Sequence, residues 1–170
     1  GSYLWDINLQ TFLQHTFSAD LDITIQSPAG TTVTLTTDNG SGNDNVLDGT
    51  LWDDSANDPA TDHLYTNMVT ASPLSPEEPL AAFIGEDPNG NWVLTITDDL
   101  AGDGGSLNSW SLILTTAPVV PIVSTTTFSN ASPLSVPTGP GVVTSTITVS
   151  GADPYLWDLN LQTSLQHTFS

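Results

Sequence analysis

The 170-residue chain has no lysine, no arginine and no cysteine, and these absences exclude more chemistry than any single motif supports. Without a basic side chain nothing can neutralise a phosphate backbone or an anionic lipid surface, so nucleic acids and charged membranes are excluded as partners. Without cysteine there are no disulfides, no thiolate metal sites and no thiol nucleophile. Nineteen acidic residues therefore stand unopposed at a formal charge of −19, where an average chain of this length carries roughly 20 basic residues. Cations from the surroundings must relieve that self-repulsion, and calcium or abundant salt is the expected source. Also missing is an apolar run of the roughly 18 to 20 residues that spans a bilayer, so membrane insertion is not expected. No basic-then-apolar secretory leader opens the chain; a secreted protein would carry one elsewhere, as part of a longer product.

What is present is a foldable sequence of period two. Hydrophobic residues make up 38% and include five Trp, enough to build a packed core despite the charge. The stretches LDITIQ (21–26), TVTLTT (32–37), WVLTIT (92–97), WSLILTT (110–116) and VVTSTITVS (142–150) alternate apolar residues with Thr or Ser, the pattern of half-buried strands. Turn signals separate them: SPAG at 27–30, Asn-Gly at Asn39 and Asn89, and GDGGS at 102–106. No stretch shows an amphipathic helical period, and twelve Pro with thirteen Gly oppose long helices. The expected class is all-β, an antiparallel two-sheet sandwich.

The chain also repeats itself. YLWDINLQTFLQHTFS (3–18) returns as YLWDLNLQTSLQHTFS (155–170), with Ile7 against Leu159 and Phe12 against Ser164 as the two mismatches, 152 residues further on. That offset is the size of a whole domain and far exceeds the 20 to 50 residues of solenoid repeats. The expected organisation is a window cut from an array of domains. Residues 1–117 form the body of one module lacking its first strands, 118–127 a stiff Pro- and Thr-rich linker, and 128–170 the N-terminal strands of the next module.

Two stretches, HTFSADLDITIQSPAGTTVTL and GEDPNGNWVLTITDDLAGDGGSLNSWSLIL, resemble the P domain, also called the homo B domain, that follows the catalytic domain of kexin- and furin-like subtilases. Asp20, Leu21, Ile23, Ser27, Pro28 and Gly30 carry the resemblance in the first. In the second it rests on Gly85, Pro88, Asn89, Gly90, Trp92, Leu94, Asp98, Gly105, Leu107, Trp110 and Leu112. The resemblance covers residues 3–116 and, for its N-terminal part, 128–170. It implies a jelly-roll-like β-sandwich of about 150 residues, in agreement with the repeat, and makes attachment to a protease one functional class to weigh. The chain departs from that setting: it has no subtilase His-Gly-Thr or Gly-Thr-Ser segment and no Gly-x-Ser-x-Gly elbow. An acidic insertion at 38–62 and the duplication fit a module used in series.

Candidate chemistry concentrates in the acidic stretches. DNGSGNDNVLDGTLWDDSANDPATD (38–62) places seven Asp among Asn and Gly, oxygen donors on flexible backbone of the kind calcium takes in sixes to eights. Asp38, Asp53, Asp54 and Asp62, with the Asn45 amide, are the candidate ligands, although the EF-hand spacing and its terminal Glu are absent. The plainer alternative is a solvated acidic loop. Asp98, Asp99 and Asp103 in DDLAGDGG form a second candidate calcium group, against the alternative of Asx turns. His15 recurs as His167, and His63 stands beside Asp62; with so many Ser and Asp nearby such pairs arise by chance, and no active site is expected. Trp92 and Trp110 fall in strand patterns and are expected in the core, whereas Trp52 beside Asp53 and Asp54 is a candidate sugar platform.

The expected role follows. It is a non-enzymatic structural repeat of a secreted or surface-displayed bacterial or archaeal fibre, stalk or adhesin, joined head-to-tail to other copies of the same module and stiffened by calcium. A carbohydrate-binding adhesin module with glycans as partner, and an accessory P domain of a secreted protease, are the alternatives.

Overall fold

The computed structural model describes residues 3–118, 122–137, 142–152, 156 and 158–166. The chain divides into two compact units, Gly1–Val120 and Pro121–Ser170. The first is an all-β sandwich. Its strands are β1 (Tyr3–His15), β2 (Leu21–Gln26), β3 (Thr32–Thr37), β4 (Asp48–Trp52), β5 (Val93–Asp98) and β6 (Gly105–Ala117), with short 3-10 turns at Ser18–Asp20 and Leu80–Phe83. One antiparallel sheet has the order β4-β1-β6 and the other β3-β2-β5.

Alternation puts one side of each strand into the shared core. Leu21, Ile23 and Ile25 of β2 are buried, with Val33 and Leu35 of β3 and Trp52 of β4, the inward set that a period of two selects. In β1 the buried Leu4 and Ile7 lie three apart, against that period. A register shift against β6 between Leu4 and Asp6 accounts for it, because one extra residue in a bulge returns the side chains to the core face. The Asn-Gly pairs do the turning that their composition predicts. Gly40 and Gly90 sit at φ +101° and +135°, and an added Cβ would lie 2.7 Å from Ser18 Cβ and 2.8 Å from Pro28 Cβ. A side chain at either would be strained and crowded at once.

The two sides of the sandwich differ. The outer edge of β4 is covered by residues 72–75: Leu74 N donates to Leu51 O, Asp53 N to Leu74 O, and Leu51 N to Ser72 Oγ. The outer edge of β3 is covered by the next few residues, with Glu77 N on Leu35 O and Glu78 N on Thr34 O. A single segment therefore seals both edges on that side, and its Leu74, Leu80 and Phe83 are buried in the core. β5 and β6 border the opposite side. Among the described residues their backbone groups find partners only in β2 and β1. Leu94, Ile96, Trp110 and Leu112 pack against the core but are only partly buried, while Val93 and Ile113 are about half exposed, at 48% and 50%.

In the second unit the side-chain amide of Asn130 donates to Thr146 O at 3.0 Å and its carbonyl accepts from Ser132 N. No described residue of this unit lies in a strand, 142–150 included. The alternation there is as regular as in β2, but a strand exists only where another strand completes its hydrogen bonds, and Val143, Ile147 and Val149 remain exposed.

Candidate functional site

Carboxylates with no basic partner must be satisfied by neutral donors, and the fold supplies them. Glu77 accepts from Thr37 N at 2.7 Å, from Thr37 Oγ1 and from the Asn39 amide; Glu78 accepts from Thr34 N at 2.7 Å. The Thr34 backbone N–H stabilises the Glu78 anion and lowers its pKa. The N–H of Asn89 does the same for Asp87, at 3.0 Å.

The acidic loop follows this rule. Asp53 Oδ1 accepts from Ser55 N and Oγ at 2.8 and 2.7 Å, closing an Asx turn. The two oxygens of Asp54 accept from Leu80 N and Ala81 N at 2.8 and 2.7 Å. A remote carboxylate thus caps the 3-10 turn at Leu80–Phe83, whose first N–H groups have no partner within the turn. Asp38 and Asn45 occupy the left-handed region at φ +54° and +56°, shaping the chain, and the Asn45 amide rests on Met68 sulfur. Asp62 is exposed, with its N–H on Pro59 O. Among the described residues no three His, Asp or Glu side chains gather in a way that could hold a metal ion. The structure therefore does not bring Asp38, Asn45, Asp53, Asp54 and Asp62 together as a cation site, nor Asp98, Asp99 and Asp103.

The second acidic group nevertheless crowds one end of the sandwich. Asp20, at 4% exposure, keeps Oδ2 buried with no hydrogen-bond partner. Burial raises its pKa, and the negative charges of Asp103, Asp98 and Asp99 raise it further, against the opposing influence of His15. His15 is buried at the end of β1, with Nδ1 2.7 Å from Phe17 O and Nε2 3.3 Å from Asp98 Oδ2. Asp103 Oδ1 accepts from Thr16 Oγ1 at 3.2 Å. Asp22 is likewise raised, first by burial and then by Asp38, Asp99 and Glu77. Asp20 stood in the sequence only as a residue of the resemblance; the signal that could have flagged it is an acidic residue at the head of an otherwise apolar strand.

Raised and lowered acids act oppositely on stability. A folded-state pKa above the unfolded value costs stability that is fully felt once pH has risen past it, as for Asp20 and Asp22. The lowered Glu78 and Asp87 add stability above their unfolded pKa and lose it as pH falls through the folded value. Melting temperature is therefore expected to rise as pH falls from neutral through the raised carboxylates, and to fall again at lower pH as Glu78 and Asp87 are protonated, with Asp20→Asn flattening the rise by raising the neutral-pH value. An Asp20→Asn variant less stable than the parent at neutral pH, in a thermal-melt series, contradicts this.

His63 pairs with Asp58, Nδ1 to Oδ2 at 2.7 Å, and not with the adjacent Asp62; its ring meets Tyr65 edge-on at 4.6 Å. Among the described residues no serine hydroxyl hydrogen-bonds to His15 or His63. His167 lies outside the described residues. Trp52 corrects the sugar-platform expectation. It is wholly buried at the end of β4, its indole N–H donating to Thr11 Oγ1 at 3.1 Å, so it presents no face to a ligand. Trp92 and Trp110 border the core, Trp92 packing edge-on against Phe83 at 5.0 Å.

The family model of the proprotein convertase P-domain matches residues 4–114, from β1 into β6. The chain belongs to the P-domain family. No curated protein and no solved structure matches it. The P-domain match covers the strands of the first unit, and its Asp20, the SPAG turn and the half-buried Trp92 and Trp110 all fall inside it. Among the described residues no helix is long and apolar enough to cross a membrane.

Proposed function

We infer that this P-domain module is a non-enzymatic structural unit of a secreted or surface-displayed fibre, stalk or adhesin, joined in series to further copies of itself. The observation that carries this is a second β1 sequence for a place already filled. β1 is the central strand of its sheet, paired with β4 on one side and β6 on the other. Residues 155–170 repeat that strand and have no slot in the same sandwich, so they serve another body. The lack of Lys and Arg leaves no trypsin-type cleavage site, which suits an exposed extracellular array. Calcium or general salt screening relieves the −19 charge.

The family match favours a second reading, an accessory domain attached to a secreted protease. The coding sequence on either side separates the two: further copies at the 152-residue spacing for the array, a subtilase catalytic domain upstream for the accessory. In solution, chains of two and four periods should show a maximum dimension that grows in proportion to copy number by small-angle scattering. A dimension that stays constant sinks the serial reading.

A further inference from the structure

We propose that the open side of the sandwich, the outer edges of β5 and β6, receives residues 128–150 of another copy of this chain as two added strands. The proposal rests on the serial reading above and identifies the contact between copies.

Four observations converge on it. The receiving edges are unpaired among the described residues and flank partly buried Leu94, Ile96, Trp110 and Leu112 and half-exposed Val93 and Ile113, whereas the opposite edges are sealed by the chain itself. Unpaired edges beside an apolar margin are the usual receptor for an added strand. The donor carries the matching pattern, with Val143, Ile147 and Val149 alternating with Thr144, Thr146 and Thr148, and it has no strand partner within its own unit. Both surfaces are almost free of charge. From Gly104 to Ala152 no charged side chain occurs, and β5 contributes only Asp98, so in a chain at −19 these are the surfaces that approach without repulsion.

The repeat sets the direction. Residues 128–150 end four residues before the second copy of β1, so they belong beside the start of a β1. There Leu4 N donates to Glu86 O and Gly85 N to Leu4 O, just ahead of β5. Asp98, the last residue of β5, lies 3.3 Å from His15 Nε2 at the far end of β1, so the Val93 end of β5 is at the start of β1. Both neighbours of β1 are occupied. Four residues span up to about 14 Å, enough to cross the roughly 10 Å between stacked sheets. A strand from 142–150 then ends near Val93 and runs antiparallel to β5, and 128–137 returns along β6, also antiparallel.

The absence of native cysteine makes the test clean. Thr95→Cys on β5 is mixed, under mild oxidation, with chains carrying Thr144→Cys, Thr146→Cys or Thr148→Cys, and Thr61→Cys, at an exposed position of the acidic stretch, serves as control. The expected result is a mixed disulfide dimer at one donor position, at least about tenfold above control, as the high effective concentration of paired strands demands. Ile147→Asp in the donor chain should abolish it, and a chain bearing both cysteines should form a ladder of multimers. If the double variant yields only an internally bridged monomer, or if no donor position exceeds the control, the proposal is overturned. Failure of the serial reading is separate: self-closed modules would lose the intermolecular bridge yet still lengthen with copy number in scattering.

Discussion

Replacing Trp52 by alanine is expected to destabilise the sandwich by about 3–5 kcal/mol, the range for removing a large aromatic from a packed core. In a body of this size that lowers the melting temperature on the order of 10–20 °C, and it takes a large part of the 5–15 kcal/mol that folded domains possess. The side chain is wholly buried, lies opposite Leu9 of β1, bridges to Leu74, and donates its indole N–H to Thr11. Its loss removes packing from the core and loosens the segment that seals the β3 and β4 edges. Trp52→Ala should therefore also aggregate on heating, because a second pair of edges becomes available. Trp52→Phe, which keeps most of the volume and loses the hydrogen bond, should cost about 1–2 kcal/mol. A Trp52→Ala chain that melts within about 1 kcal/mol of the parent would show that β4 is not part of the cooperative core.

Asp54→Ala is expected to cost about 1–2 kcal/mol, the upper part of the range for losing a capping side chain, since two backbone donors at Leu80 and Ala81 lose their acceptor together. Exposure of the carboxylate keeps the figure below that of two buried charge-assisted bonds. The 3-10 turn it caps delivers Leu80 and Phe83 to the core, so the effect reaches the packing around Trp92. The loss should be the same with chelator as with added calcium, measured by denaturant unfolding. A loss that appears only in calcium would return Asp54 to the role of metal ligand. Asp54→Asn, which retains one carbonyl acceptor, should cost roughly half as much.

These two residues mark the limit of what local sequence carries. The strands at 21–26 and 32–37 are where alternation places them, and β5 differs by one residue, Val93–Asp98 against 92–97, because each contains an unbroken period-two run. β6 is longer than 110–116, since Gly105 to Ser109 pair with β1 despite lacking a regular apolar alternation. β4 was hidden in the acidic stretch. Only Thr50 and Trp52 of its five residues turn inward fully, too few to show a period, and its partner Leu9 lies more than forty residues away in the chain. The bulge in β1 was equally hidden, because it is defined by the register of β6.

The duplication, the missing cations and the period-two pattern are properties of order and composition, so the sequence alone determined the class, the family resemblance and the need for neutral hydrogen-bond donors. Which carboxylate meets which donor was decided only in three dimensions. Asp54 and Leu80 are 26 residues apart, and Glu77 and Thr37 are 40; no spacing rule reaches such distances, because loop closure sets them. The same holds for the unequal sides of the sandwich. Alternation tells which face of a strand is apolar, but which edge is left unpaired depends on strand order, and strand order is a property of the assembled sheets.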